Sequence, residues 1–194
     1  MIRILPIHTD RLELRRFSSD DLKAFQAYRR DPELSKYQGW EPTTDEKALA
    51  FLSEQSEQTL GPEGQWLQIA VTCLDTKQLI GDFGLCVADS RCGIVEMGFT
   101  ISRPFQRNGY ATEAARGILS MLFDANEIHT VVAVTDTRNV ASVSFLQRLG
   151  FVLTNTKAAK FHGAPCEEHT LKLTAKQWGI LRSVSKIESR PRST

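Results

Sequence analysis

Apolar and polar positions alternate over Arg11-Leu-Glu-Leu-Arg15, the two-residue period of a half-buried strand. Ser18-Ser-Asp-Asp21 then supplies oxygens that can accept from the free amides of a helix start. Leu22, Phe25 and Tyr28 follow on a helical period until Asp31-Pro32 ends it. A second helix is predicted after Thr43-Thr-Asp-Glu46, with Ala48, Leu49, Phe51 and Leu52 on its period, and Gly61-Pro-Glu-Gly64 breaks it. Three strand-like runs come next: Trp66–Thr72, Leu79–Val87 and Ile94–Ile101. The turn residues of Asp75-Thr-Lys-Gln78 and Asp89-Ser-Arg-Cys-Gly93 separate them, so they are expected as hairpins.

The period changes at Ala111. Ala111, Ala114, Ala115, Ile118, Leu119, Leu122 and Phe123 share one face of a helix, and Thr130–Thr135 is a β-branched, buried strand. A helix from about Asn139 to Leu149 is closed by Gly150, followed by short strands at Phe151–Leu153 and His169–Leu173 and a last helix at Thr174–Leu181. Residues 183–194 are polar and basic without a period and are expected to be a disordered tail. Helices, then antiparallel hairpins, then β-α-β-α-β predict an α/β (α+β) domain over residues 1–182, one mixed sheet with helices on its faces.

Composition narrows the function classes. A chain of 194 residues with 41% apolar and 24% charged residues can close a core without a disulfide or metal staple. A formal net charge of +1 argues against a surface built for nucleic acid or membrane. No apolar run approaches a membrane span and no secretory leader opens the chain, so a cytoplasmic location is expected. Cys73, Cys86, Cys92 and Cys166 show no CxxC spacing, and His8, His129, His162 and His169 form no ligand pattern with them. Reduced thiols and no metal are expected.

Candidate chemistry lies in Arg103-Pro-Phe-Gln-Arg-Asn-Gly-Tyr-Ala111, between a strand and a helix start. Successive amides at a helix N-terminus lack intrahelical acceptors and attract anions. Gly109 permits a turn at positive φ, and small Ala111 lets a ligand near the backbone. Arg103, Arg107 and Arg116 face only Glu113 in charge over Ile101–Leu119. An ordinary strand-to-helix turn has the same look. The loop has neither GxxxxGK[ST] nor GxGxxG, and Asp82-Phe-Gly84 lacks the rest of a kinase signature.

Gln106-x-x-Gly109-x-Ala111 resembles the acyl-CoA pyrophosphate signature of the GNAT acetyltransferases. Asn139-x-x-Ser142 with Leu149-Gly-Phe151 resembles their second cofactor-proximal motif. Thr9-Asp-Arg-Leu-Glu-Leu-Arg-Arg16 and Tyr37-x-x-Trp40 resemble the RimJ/RimL-like branch, which acetylates ribosomal-protein N-termini. The resemblance covers about residues 8–178. It implies a twisted sheet splayed around a cofactor cleft, with acetyl-CoA as cosubstrate and no metal.

It also implies direct transfer in a ternary complex, in which a neutral amine attacks the thioester and coenzyme A leaves as a thiol. The backbone of Arg107, Asn108, Gly109, Tyr110 and Ala111, with Gln106 and Thr112, would cradle the pyrophosphate. The edge of Phe99, Thr100 and Ile101 would pair with pantetheine, and Asn139 and Ser142 would meet it from the far side or simply cap a helix. Glu96 is the first candidate base, or else a sheet-face carboxylate paired with an arginine; Glu167 and Glu168 are the alternatives. Many relatives place a tyrosine where this chain has Phe145, which leaves Ser142 or water to protonate the thiolate. Tyr37, Trp40, Glu167 and Glu168 are expected around the acceptor, the glutamates in a loop near Phe161–Glu168.

An α-amine with a pKa near 7.8 is about 2.6 units easier to deprotonate than lysine, so a protein or peptide N-terminus is the expected acceptor. A small-molecule amine is the alternative, and a non-catalytic acyl-CoA-binding module is a further one. Expected partners are the acceptor alone, in a monomer or homodimer, with no nucleic acid and no membrane.

Overall fold

A computed structural model describes residues 5–40 and 42–188, with side chains to residue 184. The strands are β1 (Ile7–His8), β2 (Leu12–Arg15), β3 (Trp66–Cys73), β4 (Leu79–Asp89), β5 (Ile94–Ile101), β6 (Thr130–Asp136), β7 (Val152–Phe161) and β8 (Ala164–Thr174). The helices are α1 (Leu22–Arg29), α2 (Pro32–Ser35), α3 (Asp45–Glu57), α4 (Tyr110–Asp124), α5 (Val140–Arg148) and α6 (Ala175–Glu188). All eight strands form one sheet in the order β1-β2-β3-β4-β5-β6-β8-β7. Every pairing is antiparallel except β5 with β6. The expected mixed sheet flanked by helices is what the chain forms.

The two faces of the sheet bury different helices. On one, the predicted stripe of α4 (Ala114, Ala115, Ile118, Leu119, Leu122) meets Val95, Met97, Val131, Ala133, Leu171 and Leu173 in the main core. On the other, Phe25 and Tyr28 of α1 and Leu52 of α3 cover Ala70 and Leu79 in a smaller cluster. This second layer stops at β4 and β5, so the same face of β6, β8 and β7 stays open, with Val134 and Val152 exposed.

Local chemistry explains most boundaries. The Asp21 carboxylate accepts from the Ser18 amide at 2.8 Å and opens a single 3-10 turn ahead of α1. Asp31 ends α1 as expected and also caps α2, a short helix with Pro32 in its first turn that the sequence reading does not anticipate. Thr44 caps α3 through the Lys47 amide. The last helix runs to Glu188, into the segment expected as a tail, and 189–194 lie outside the described residues.

The largest departure is the β7–β8 hairpin. The strands expected at Phe151–Leu153 and His169–Leu173 are the ends of a ladder that continues to Phe161↔Ala164. His162 (φ 47°) and Gly163 (φ 79°) make the tight turn. Nearly every β7 residue is exposed, so Thr154-Asn-Thr-Lys-Ala-Ala-Lys160 shows no alternation for a pattern search to find. Glu167 and Glu168 therefore sit on strand β8, not in a loop. Among the described residues, no helix is long and apolar enough to cross a membrane.

Candidate active site

The sheet is split where the chemistry was expected. β5 and β6 pair only over Ile94–Glu96 and Thr130–Val132. Beyond Glu96, β5 stays on β4 as far as Ile101, while β6 stays on β8 as far as Asp136. Phe99, Thr100 and Ile101 therefore turn an edge without a strand partner into a wedge-shaped opening. The Phe99 ring packs against Phe83 at 5.7 Å and against Phe145 of α5 at 4.5 Å between centroids, filling the core side of the wedge. Phe145 is 7% exposed and offers no hydroxyl there.

The loop from Ser102 to Gly109 carries the chain from this edge to α4. Arg103–Phe105 form a 3-10 turn, and Arg107 (φ 61°) and Gly109 (φ 81°) are both left-handed. A glycine suits the second position, because α4 must start directly after it. Gln106 turns its amide back to donate to the Ile101 carbonyl at 2.9 Å, so its side chain shapes the edge. Among the described residues, the amides of Arg107, Asn108, Gly109, Tyr110, Ala111 and Thr112 have no acceptor; the first intrahelical contact is Glu113 to the Gly109 carbonyl. This row of free donors at the positive end of a fifteen-residue helix fits an anion.

One contact set here is absent from the sequence reading. Glu113, in the first turn of α4, accepts from Thr9 Oγ1 at 2.6 Å, from the Arg11 amide at 2.7 Å and from Arg11 Nε at 2.7 Å. Burial works against ionisation of Glu113, but these donors outweigh it and hold the carboxyl below its ordinary value. Arg11 also donates to the Asn108 carbonyl at 3.1 Å and lies 4.5 Å from the Tyr110 ring. The available signal was charge: Glu113 is the one acidic residue in a basic segment and needed a partner.

Glu96 occupies the point where β5 and β6 part, half-buried on the open face. Burial, reinforced by the Glu168 carboxylate, raises its pKa, and Lys157 opposes the shift. Lys157 Nζ is 3.6 Å from Glu168 across β7 and β8. The two candidate bases Glu96 and Glu168 are thus electrostatic neighbours, while Glu167 faces outward, exposed. The arginine pairing that the alternative reading of Glu96 required does not occur among the described residues. Trp66, known from sequence only as a strand residue, lies on the same face. A Cβ on Gly84 would meet its ring at 2.9 Å and one on Gly98 at 3.7 Å, so the indole rests on a strip without side chains beside Glu96.

The segment after α2 spans the wedge. Gln38 donates to the Phe99 carbonyl at 3.4 Å, and Tyr37 donates its hydroxyl to the Arg138 carbonyl at 3.4 Å, across to the start of α5. Asp31, at the start of α2, is anchored to Arg103 by an ion pair at 2.5 Å. Trp40 is turned inward, with the Arg29 guanidinium 3.7 Å from its ring centre. Arg29 pairs with buried Asp82 at 3.0 Å, and Tyr28 donates to the same carboxylate. Asp82, a charge inside the otherwise uncharged run Leu79–Val87, was the sequence signal for this partner set.

Asn139 Oδ1 accepts from the Ser142 amide at 3.2 Å, the helix-cap role, with its amide nitrogen left over. Asp136, beside it, is held below the ordinary carboxylate range by the bidentate Arg138 guanidinium. A separate groove of about 850 Å³ opens by the β3–β4 turn between Arg15, Lys23 and Lys77, and none of the expected site residues lines it.

A family model described as Acetyltransferase (GNAT) domain matches residues 11–152. The uncharacterized N-acetyltransferase YoaA of Bacillus subtilis is 31% identical over 146 residues, 75% of this chain and 81% of YoaA. Among solved structures, RimL, a ribosomal alpha-N-protein acetyltransferase in complex with coenzyme A, superposes with a TM-score of 0.75 at 16% identity, covering 89% of this chain and 98% of RimL. The microcin self-immunity acetyltransferase MccE, in complex with acetyl-CoA and AMP, also gives 0.75 at 16% identity, over 90% of this chain and 99% of MccE. These two likenesses are of fold.

Proposed function

The chain belongs to the GNAT acetyltransferase family and is an N-acetyltransferase; from that premise we propose that it acetylates the α-amine of a peptide or protein chain, with acetyl-CoA seated in the β5–β6 wedge. The observation that carries the reading is the edge of Phe99–Ile101, which no strand pairs on the β6 side and along which Gln38 and Gln106 donate to the Phe99 and Ile101 carbonyls, running into the unpartnered amides of Arg107–Thr112. An extended pantetheine arm suits the edge as an added strand, and a pyrophosphate suits the amides. Acetyl-CoA supplies a thioester whose carbonyl an amine can attack, with coenzyme A leaving as the thiol.

The chain's own groups supply the rest. Glu96, at the apex of the wedge, takes the proton of the ammonium, directly or through water. Its raised pKa brings the carboxyl closer to that of the amine it must deprotonate. Trp66 floors the approach beside it, and Tyr37 and Gln38 wall the opening. Asn139 retains a spare amide for the pantetheine, and Ser142 is the hydroxyl nearest in sequence for the departing thiolate. The site holds two half-buried carboxylates, Glu96 and Glu168, as candidate bases, with Glu96 at the apex. Such a site favours the easier deprotonation of an α-amine over lysine by about 2.6 pKa units, roughly 3.5 kcal/mol.

The test compares two short peptides, one with a free N-terminus and no lysine, the other N-terminally blocked with one lysine, by thiol release under saturating acetyl-CoA. The free α-amine is expected to give the higher kcat/KM. Preference for the blocked lysine peptide overturns the acceptor assignment. Turnover of a polyamine or amino-acid-like amine with neither peptide acetylated moves the acceptor to small molecules, as a fold shared equally with RimL and MccE allows.

A further inference from the structure

We infer that Arg11, at the start of β2 and far in sequence from the loop, is a phosphate-binding residue of the cofactor site, oriented for that purpose by Glu113. The inference rests on the placement of the pyrophosphate against Arg107–Thr112. Two of the three guanidinium nitrogens are committed: Nε donates to Glu113 Oε2 at 2.7 Å, and Nη1 to the Asn108 carbonyl at 3.1 Å. The Tyr110 ring, 4.5 Å from the guanidinium carbon, supports the flat face of the group. The remaining nitrogen, Nη2, has no acceptor among the described residues, and a Cβ on Gly109 would lie 3.3 Å from it. Its donors therefore emerge at the left-handed glycine, in the middle of the row of free amides.

This geometry differs from a surface ion pair that happens to lie near a helix. An arginine side chain is normally long and mobile, and fixing it costs entropy. Here that cost is met within the protein, by the carboxylate, the carbonyl and the ring together. The planar fork then presents one prepared edge, which suits a phosphate oxygen. The pairing also cancels the one negative charge in the first turn of α4, which would otherwise repel a pyrophosphate. Thr9 and the Arg11 amide bind the opposite carboxylate oxygen, Oε1, so Glu113 stays in place independently of the guanidinium.

Charge and scaffold roles make different forecasts for the two partners. If Arg11 binds phosphate, Arg11→Gln weakens coenzyme A by about tenfold in calorimetric titration. Glu113→Gln loosens the guanidinium but also removes a carboxylate charge beside the phosphate, so the two effects offset and the affinity stays within about threefold of the wild type. If the pair merely ties β2 to α4, the two substitutions weaken binding alike. The substitution Arg11→Gln should also leave kcat/KM for S-acetylpantetheine, a donor without the pyrophosphate, within twofold of the wild type. Gly109→Val serves as the control for the loop. Equal weakening by Arg11→Gln and Glu113→Gln, or loss of S-acetylpantetheine turnover in a folded Arg11→Gln, overturns the inference. Unchanged affinity in Arg11→Gln alongside weakened binding in Gly109→Val also overturns it and leaves the loop assignment standing. Unchanged affinity in both removes the loop assignment itself.

Discussion

On the proposed cofactor side of the wedge, the strand edge, the loop and the helix start lie within one stretch from Glu96 to Thr112, which Gln38 and Arg11 reach from far in sequence at the Phe99 and Asn108 carbonyls. On the proposed acceptor side, Tyr37 and Gln38 come from the segment after α2, Trp66 from β3, and Lys157 and Glu168 from the β7–β8 hairpin. Only the fold brings them together. The cofactor wall is chiefly backbone, so it tolerates many side chains provided the turn is kept. The acceptor wall is side chains on an open face, free to vary without unseating the core. That division lets one fold keep a common donor and change its acceptor.

If the two walls are separable, substitutions should divide cleanly between them. The largest effect is expected for Glu96→Gln, a loss of about 10²–10⁴-fold in kcat if it is the base, with coenzyme A affinity nearly intact by calorimetry. A variant within twofold of the wild type from pH 6 to 9 would transfer the role to Glu168 or to water. Next comes Gly109→Val, which needs a left-handed β-branched residue against Arg11 and should weaken coenzyme A tenfold or more, about 1.4 kcal/mol, while acceptor KM stays put. A matching rise in acceptor KM would mean that the walls are coupled.

The next pair of variants acts only on pH dependence. Glu96 must be ionised to accept a proton, so activity falls as pH drops through its raised pKa. Removing the Glu168 charge in Glu168→Gln takes away one cause of that rise, and the acid limb of kcat/KM should move to lower pH. Lys157→Met removes the opposing cation and should move the limb to higher pH. Shifts in the same direction would break the assignment of Glu96 to that limb. The smallest effect is expected for Tyr37→Phe, which deletes one hydrogen bond spanning the wedge, worth about 0.5–1.5 kcal/mol. A several-fold rise in acceptor KM with unchanged coenzyme A affinity would place the hydroxyl on the acceptor wall.

The same division explains what could be read from the sequence. The α4 stripe, the Gly109 turn and the Asn139 cap are local patterns, and each lies where spacing put it. The Glu113 clamp joins Thr9 to a residue 104 positions away and leaves no periodic trace. The ends of the β7–β8 hairpin are legible, but its extension to the turn at His162 is not, because an edge strand exposed on both faces needs no apolar alternation, and the strand placement of Glu167 and Glu168 lies in that extension. Trp66 read as strand because its importance lies in what faces it, the bare backbone of Gly84 and Gly98. Side chains whose meaning depends on distant partners were invisible, whereas Asp82 and Glu113 at least announced that a partner was needed.

Amide hydrogen exchange with and without coenzyme A tests the central claim most directly, because the proposed site includes the amides of Arg107–Thr112, which have no acceptor among the described residues. Added coenzyme A is expected to slow exchange at Phe99–Ile101 and at Arg107–Thr112, with little change in the β7–β8 hairpin. Protection confined to another surface, such as the groove lined by Arg15, Lys23 and Lys77, with the wedge and its loop unchanged, would contradict the account.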